Sequence, residues 1–278
     1  MKSRDQILLE EAYSRILNEE TIKIPIRSKE QKQKNHIIAV QRKIQEYIRN
    51  GSKGDLVLNE DPITSLPDNL YVGGRLELGG SSLEALPNNL KVDGDLDLHD
   101  SAILSLPNNL KVGGNLDLNM TNITFLPDDL EVGGSLYLSS TKITSLPSNL
   151  KTVEGSIGLN NCPITALPDN LKMIMGDLYL PGSKIASLPD GLQVQGSLDL
   201  KDTPIDTLPN NLKVGANLDL RYTQISSLPD NLEVGGDLYL NNLLAKYVNQ
   251  KDSSKKVMHF HNVPVYVPKS FKIKGEII

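Results

Sequence analysis

The sequence predicts an α/β-type repeat solenoid, and three observations predict it. The dipeptide Leu-Pro recurs at Leu66, Leu86, Leu106, Leu126, Leu146, Leu167, Leu188, Leu208 and Leu228, always 20 or 21 residues apart. A fixed period of that length marks stacked structural units. Each period also holds an alternating segment such as Leu116-Asp117-Leu118, which has the two-residue period of a short strand with its leucines facing inward. Aromatic residues make up only 4% of the chain and Trp is absent, so the interior must be built from aliphatic side chains.

One turn of the repeat runs from Leu106 to Phe125 and offers six recurring apolar positions, Leu106, Leu110, Val112, Leu116, Leu118 and Ile123. A single turn cannot bury its own apolar face, so stability must come from the turns above and below. Counting the partial unit at Asp55 to Leu58, ten such strands are expected, from Leu56/Leu58 to Leu238/Leu240. Paired in parallel at about 4.8 Å, they span roughly 45 Å.

The non-apolar positions recur as well. Asn69, Asn89, Asn109, Asp129, Asn149, Asn170, Gly191, Asn211 and Asn231 follow Pro by two residues. Their shared tolerance of positive φ predicts a left-handed turn residue there. Just before the strand stand Gly74, Gly94, Gly114, Gly134, Gly155, Gly176, Gly196, Ala216 and Gly236. The position before those accepts Asp93, Glu154, Met175 and Gln195, so only this second glycine reads as required, for positive φ or for close backbone approach. After the strand, Asp61, Ser81, Ser101, Thr121, Thr141, Cys162, Ser183, Thr203 and Thr223 predict a hydrogen-bonding ladder to buried backbone. Cys162, the only cysteine, is then a ladder member and excludes an internal disulfide and a multi-cysteine zinc site.

The stretch Leu116-Asp-Leu-Asn-Met-Thr-Asn-Ile123 resembles the leucine-rich-repeat family's L-x-L-x-x-N-x-L, with Thr121 where asparagine is usual. The Leu-Pro step and short unit are most similar to the short bacterial class, including the repeat halves of secreted bacterial ubiquitin ligases. The resemblance covers about residues 54–243. It implies a leucine-rich-repeat solenoid of short parallel strands. It does not imply a reaction, because those ligases carry catalysis in a separate domain with a nucleophilic cysteine, and the one cysteine here lies inside a repeat.

The ends differ from the repeats in charge. Residues 1–50 carry 11 basic and 7 acidic residues, net +4; residues 51–240 are net −14; residues 241–278 are net +5. Residues 1–50 read as a helical N-terminal segment and cap: one amphipathic helix over residues 3–20, a polar link from Thr21 to Lys34, and a second helix over residues 35–49, stopped by Gly51. The second helix is expected to cover the bare first turn of the solenoid. The first, through Asp5 to Tyr13, is similar to short N-terminal docking helices on proteins of tailed bacteriophages. The solenoid proper is placed at residues 51–243, and residues 244–278, rich in β-branched residues, are expected to form a C-terminal short-strand cap. His259 and His261 lie there without further clustered ligands and read as structural, not as a metal site.

Three outward columns of the strands define the expected concave face. At the strand centre the tyrosines Tyr137, Tyr179 and Tyr239 share a column with Asp199 and Asp219, and Arg221 lies two residues after that column. Tyrosine and arginine are common contact hot spots. These six residues are therefore the candidate partner-binding set, suited to a protein or peptide, possibly basic. The expected role is a non-enzymatic binding protein. Two other roles compete with it: a bacteriophage virion or accessory protein docked through its N-terminal helix, and a bacterial effector. The acidic repeat surface argues against nucleic acid. No P-loop, H-E-x-x-H or G-x-S-x-G stands in the chain, so no catalytic residue and no cofactor is expected. The absence of an N-terminal apolar segment and of any run of eighteen apolar residues leads to a cytoplasmic, non-membrane expectation.

Overall fold

A computed structural model describes residues 29–240, 258–260, 263–265 and 272–278. The chain divides into two units, Met1–Ala39 and Val40–Ile278. The helix expected over residues 3–20 lies outside the described residues.

Helix α1 runs Lys29–Arg49. It begins inside what the sequence reads as a polar link: Lys29 to Lys34 is already helical. The run Lys-Glu-Gln-Lys-Gln-Lys has no apolar period, but Lys, Glu and Gln are strong helix formers. Of the apolar positions in this helix, Val40 and Ile44 are buried and Tyr47 is packed against the same core, while Ile38 and Ile48 are exposed. Val40, Ile44 and Tyr47 follow the i, i+4, i+7 spacing of one helix face. The Tyr47 hydroxyl donates to Gly54 O (2.9 Å) and accepts from the Gly73 N–H (3.3 Å). Gly51 ends the helix at φ +84°, with its N–H donated to Ile48 O. This N-terminal cap ties the first strand down through the Lys43 ammonium, which donates to Val57 O.

Ten two-residue inner strands form one parallel sheet in strict sequence order: Leu56–Val57, Leu76–Glu77, Leu96–Asp97, Leu116–Asp117, Leu136–Tyr137, Ile157–Gly158, Leu178–Tyr179, Leu198–Asp199, Leu218–Asp219 and Leu238–Tyr239. All six apolar positions of the turn are buried where expected, from Leu106 at 6% exposure to Leu116, Leu118 and Ile123 at 0%. They belong to one continuous aliphatic core.

Each turn also contains a second strand that the sequence reading did not separate. It runs Tyr71–Val72, Lys91–Val92, Lys111–Val112 and Glu131–Val132 in one four-stranded sheet. It resumes at Thr152–Val153 in a different, six-stranded sheet. The break falls where the period lengthens. The turns from Leu146 and Leu167 each carry one extra residue before the inner strand, around Thr152 and Met173. Val132 and Val153 nonetheless face the same core, and the ladder passes unbroken from the longer turn at Met173–Ile174 into the shorter one at Gln193–Val194.

The turn residues are partly as expected. Asn69, Asn89, Asn109, Gly191 and Asn211 have φ between +56° and +73°. Asp129, Asn149, Asn170 and Asn231 do not; there the following leucine donates its N–H back to proline, as Leu130 does to Pro127 O and Leu171 to Pro168 O. A second left-handed position, missed in the sequence, recurs in the nine turns where it is described: Glu60, Gly80, Asp100, Met120, Ser140, Asn161, Gly182, Asp202 and Tyr222 all lie at φ +52° to +68°. The residue after it sends its N–H back across the turn, as Ser101 does to Leu98 O at 3.1 Å. A turn closed in this way with its third residue at positive φ has the type II pattern. Because Glu, Met and Tyr occupy the slot alongside Gly and Asn, composition alone does not reveal it.

The hydroxyl ladder forms at most of its positions, while Ser81 Oγ and Ser183 Oγ are buried without a hydrogen-bond partner among the described residues. Ser101, Thr121, Thr203 and Thr223 donate to the carbonyls of Leu98, Leu118, Leu200 and Leu220 at 2.6–2.7 Å, and all four are buried. Cys162 is 1% exposed and its thiol reaches Leu138 O (3.0 Å) and Thr141 Oγ1 (3.4 Å).

The last described segment, residues 272–278, continues the repeat. Lys272–Ile273 pairs with Glu233–Val234, and Ile277 bridges Leu238. Gly275 takes the close-approach glycine slot against Gly236, and Glu276 N–H donates to Asp237 Oδ1 at 2.9 Å. The segment Lys272 to Ile278 is thus a further half-turn, which closes the C-terminal end with short strands as the sequence predicts. Met258–Phe260 pairs antiparallel with Val263–Val265. Among the described residues no helix is long and apolar enough to cross a membrane, and no cluster of three metal-ligating residues is found.

Candidate functional site

The outward face of the ten-stranded sheet is built from three columns, and the structure assigns two of them backbone duties. The first column is Asp55, Arg75, Asp95, Asn115, Ser135, Ser156, Asp177, Ser197, Asn217 and Asp237. Its side-chain oxygens accept the N–H of the same position one turn on: Asp55 from Arg75 (2.8 Å), Asp95 from Asn115 (2.7 Å), Asn115 from Ser135 (2.7 Å), Ser156 from Asp177 (2.9 Å), Asp177 from Ser197 (2.6 Å). Inter-strand pairing leaves these N–H groups without a backbone acceptor, and a short acceptor side chain below supplies one. The Ser197–Asn217 bond is stretched to 3.4 Å in the one turn where Ala216 replaces the usual glycine.

The second duty concerns the N–H two residues after the strand centre. Where the centre is aspartate, its own carboxylate accepts that proton: Asp97 from His99 (3.0 Å), Asp117 from Asn119 (2.9 Å), Asp199 from Lys201 (2.9 Å), Asp219 from Arg221 (3.0 Å). Asn59 and Asn119 serve Gly79 and Ser139 from the turn below. At Tyr179 the residue two on is Pro181, which has no proton to give. Much of the acidic charge of the repeats is therefore spent capping backbone amides, including that of Asp199 and Asp219 from the candidate set.

The tyrosines have no such duty. Tyr179 is exposed and Tyr137 and Tyr239 are half-buried, all on the outward face. The Tyr179 hydroxyl donates to Asp177 Oδ2 at 2.8 Å, which raises its pKa above the ordinary phenol value. Arg221 is held in a fork on Asp219, with Nε 3.0 Å from Oδ1, and lies over the Tyr239 ring at 5.2 Å. Tyr222, which the sequence reading did not single out, is the most exposed large ring among the described residues at 69%, with Lys201 5.7 Å from its centroid. The six candidate residues form one continuous run, because Tyr179 pairs in register with Asp199. Asp199, Asp219 and Tyr239 occupy adjacent strands beside Arg221, and Tyr137 and Tyr179 flank Gly158. A shallow cleft of about 180 Å³ opens at the other end of the face, lined by Arg75, Glu77, Asp97, Asp117 and Tyr137 among others.

Burial pushes the carboxyls of Asp117 and Asp199 above the usual aspartate range, with the neighbouring carboxylates Asp97 and Asp219 adding to it. The Asp97 carboxylate, 2.7 Å from His99 Nδ1, holds that imidazole's pKa above its ordinary value. All three groups bind protons more tightly folded than unfolded. The His99 contribution is fully present below about pH 6.5 and is lost as pH rises through its folded pKa, and the two aspartates lose stability as pH rises above about 4. The urea midpoint is therefore expected to be higher at pH 5 than at pH 8, and His99→Gln is expected to remove the part of that change above pH 6. A midpoint that falls on acidification over this range would contradict the assignment.

The ten-stranded parallel sheet, the 20–21-residue turn and the buried hydroxyl ladder define a leucine-rich-repeat solenoid with an N-terminal helical cap. No family model matches the chain, and no curated protein matches it. Among solved structures the chain is similar to YopM from Yersinia enterocolitica WA-314, at 18% identity over 97% of this chain and 74% of that one, with a TM-score of 0.34. It is also similar to YopM, a leucine-rich effector protein from Yersinia pestis, at 16% identity over 96% of this chain and 99% of that one, with a TM-score of 0.38.

Proposed function

We propose that the chain is a non-enzymatic binding module whose protein or peptide partner lies on the outward face of the ten-stranded sheet and contacts Tyr137, Tyr179, Asp199, Asp219, Arg221 and Tyr239. One observation carries the reading. Along this face most of the aspartates and asparagines are engaged with backbone amides, whereas the three tyrosines accept no backbone proton. Large rings presented without a structural duty mark contact surfaces. The net −14 of residues 51–240 supports a basic partner.

The double substitution Tyr179→Ser with Tyr239→Ser tests it. Surface changes of this kind alter stability by about 0.5 kcal/mol or less, so the melting temperature is expected to hold. Recovery of partner by the immobilised full-length chain is expected to fall by an order of magnitude. Unchanged recovery would remove this face as the binding surface, and a large drop in melting temperature would show that the rings are structural.

A further inference from the structure

Read across the sheet, the central outward column is a palindrome. Seven consecutive strands, paired in register, present Asp97, Asp117, Tyr137, Gly158, Tyr179, Asp199 and Asp219. The outer aspartates each hold a cation of their own: Asp97 pairs with His99 and Asp219 with Arg221. The inner ones, Asp117 and Asp199, spend one oxygen on the backbone and have no salt bridge among the described residues. Both are half-buried, and a carboxylate in that position gains from an incoming cation. Between them the two tyrosines stand on either side of a strand with no side chain. Gly158 is itself buried, and a Cβ added there would make ordinary contact with Tyr137 Cδ1 at 3.5 Å, so the Tyr137 ring leans over the glycine.

The spacing selects the conformation of what would fit. Strands about 4.8 Å apart put Asp117 and Asp199 roughly 19 Å apart, with Gly158 midway. An extended β-strand covers that distance in six residues but turns its third side chain to the opposite face. A polyproline II helix rises about 3.1 Å per residue with three residues per turn, so residues i, i+3 and i+6 share one face and span close to 19 Å. Such segments dock on aromatic-lined surfaces with little entropy left to lose.

We propose that this column receives a polyproline II segment of a partner that carries a basic residue at i, proline or another apolar residue at i+3, and a basic residue at i+6. The first basic residue pairs with Asp117 and the second with Asp199. The apolar residue seats on the Tyr137 ring where it leans over Gly158, beside the exposed Tyr179 ring. This rests on the proposed binding face and specifies its ligand.

Fluorescence anisotropy with labelled synthetic peptides on the full-length chain tests it. The probe is Arg-Pro-Pro-Pro-Pro-Pro-Arg; the control, Arg-Pro-Pro-Pro-Arg-Pro-Pro, has the same composition with the second arginine at i+4. The probe is expected to bind at least fivefold more tightly than the control. The double substitution Asp117→Asn with Asp199→Asn keeps the oxygen that accepts the backbone N–H, so it is expected to melt normally and to bind the probe at least tenfold more weakly. Equal affinity for the two peptides, no loss on the double substitution, tighter binding of the strand-forming Arg-Thr-Val-Thr-Val-Thr-Arg, or no binding of the probe up to about 1 mM would each overturn the proposal. If the Tyr179→Ser, Tyr239→Ser chain still loses its partner in those cases, the binding face stands and only the ligand assignment fails.

Discussion

Replacing Gly134 with Val is expected to destabilise the solenoid by about 3 kcal/mol. A Cβ at Gly134 would lie 2.9 Å from the Gly114 carbonyl carbon and 2.5 Å from Asn115 Oδ1. The second atom is the one that accepts the Ser135 N–H, so the substitution both clashes with backbone and breaks a rung of the capping ladder. None of the glycines in this slot has a positive φ, so close approach, not backbone handedness, is what excludes a side chain. The neighbouring Gly133 is as crowded as it stands, since a Cβ there would meet the Gly113 carbonyl oxygen. The same position in other turns nevertheless holds Asp93, Glu154, Met175 and Gln195, all exposed, so a side chain there has a route to solvent once the backbone shifts slightly. Gly134 is half-buried between ladder residues and has no such route. Gly133→Val is therefore expected to cost clearly less, read as the difference in urea midpoint between the two variants. Equal midpoints would show that both glycines are required.

The period made the fold legible. Leu116, Leu118 and Ile123 recur in register, and a residue that recurs in register with a buried equivalent must be buried too. The glycine and hydroxyl columns were legible for the same reason, because one chemical property unites their members. Where a column mixes properties, the sequence was silent. The left-handed position of Met120, Ser140 and Tyr222 is set by the hydrogen bond that closes the turn, which any residue can join at a cost, and the strand of Lys111–Val112 is too short to alternate visibly. The candidate face was legible in position but not in chemistry. Asp199 and Asp219 read as ligand-directed acids because a sequence does not show that Lys201 and Arg221 would offer their N–H groups to them. Proline at 181 has no N–H to offer, and its strand centre is Tyr179, but Tyr137 and Gly158 also replace the aspartate where that N–H is present, so the sign was not decisive.

Leu159→Ala is expected to cost between about 2 and 5 kcal/mol, and where that loss is felt says how the molecule holds together. Leu159 is 0% exposed, in the turn that also carries Gly158 and Cys162. Its equivalents in the turns before and after, Leu138 and Leu180, are fully buried in the same core. Every strand pair in the ten-stranded sheet joins adjacent turns only, so no contact bypasses a weakened turn. Stability in such an array is close to a sum of turn and interface terms. A cavity at Leu159 should thus lower hydrogen-exchange protection most in the amides of Leu138, Leu159 and Leu180, less at Leu118 and Leu200, and little at Leu78. Leu240, 4% exposed in the last full turn, provides the comparison. Leu240→Ala is expected to loosen the final turns while leaving protection around Leu98 and Leu118 unchanged. If either substitution lowers protection equally from Leu58 to Leu240, the solenoid opens as one cooperative block, and the outward column from Asp97 to Asp219 is then a single rigid ruler whose spacing no local change can alter.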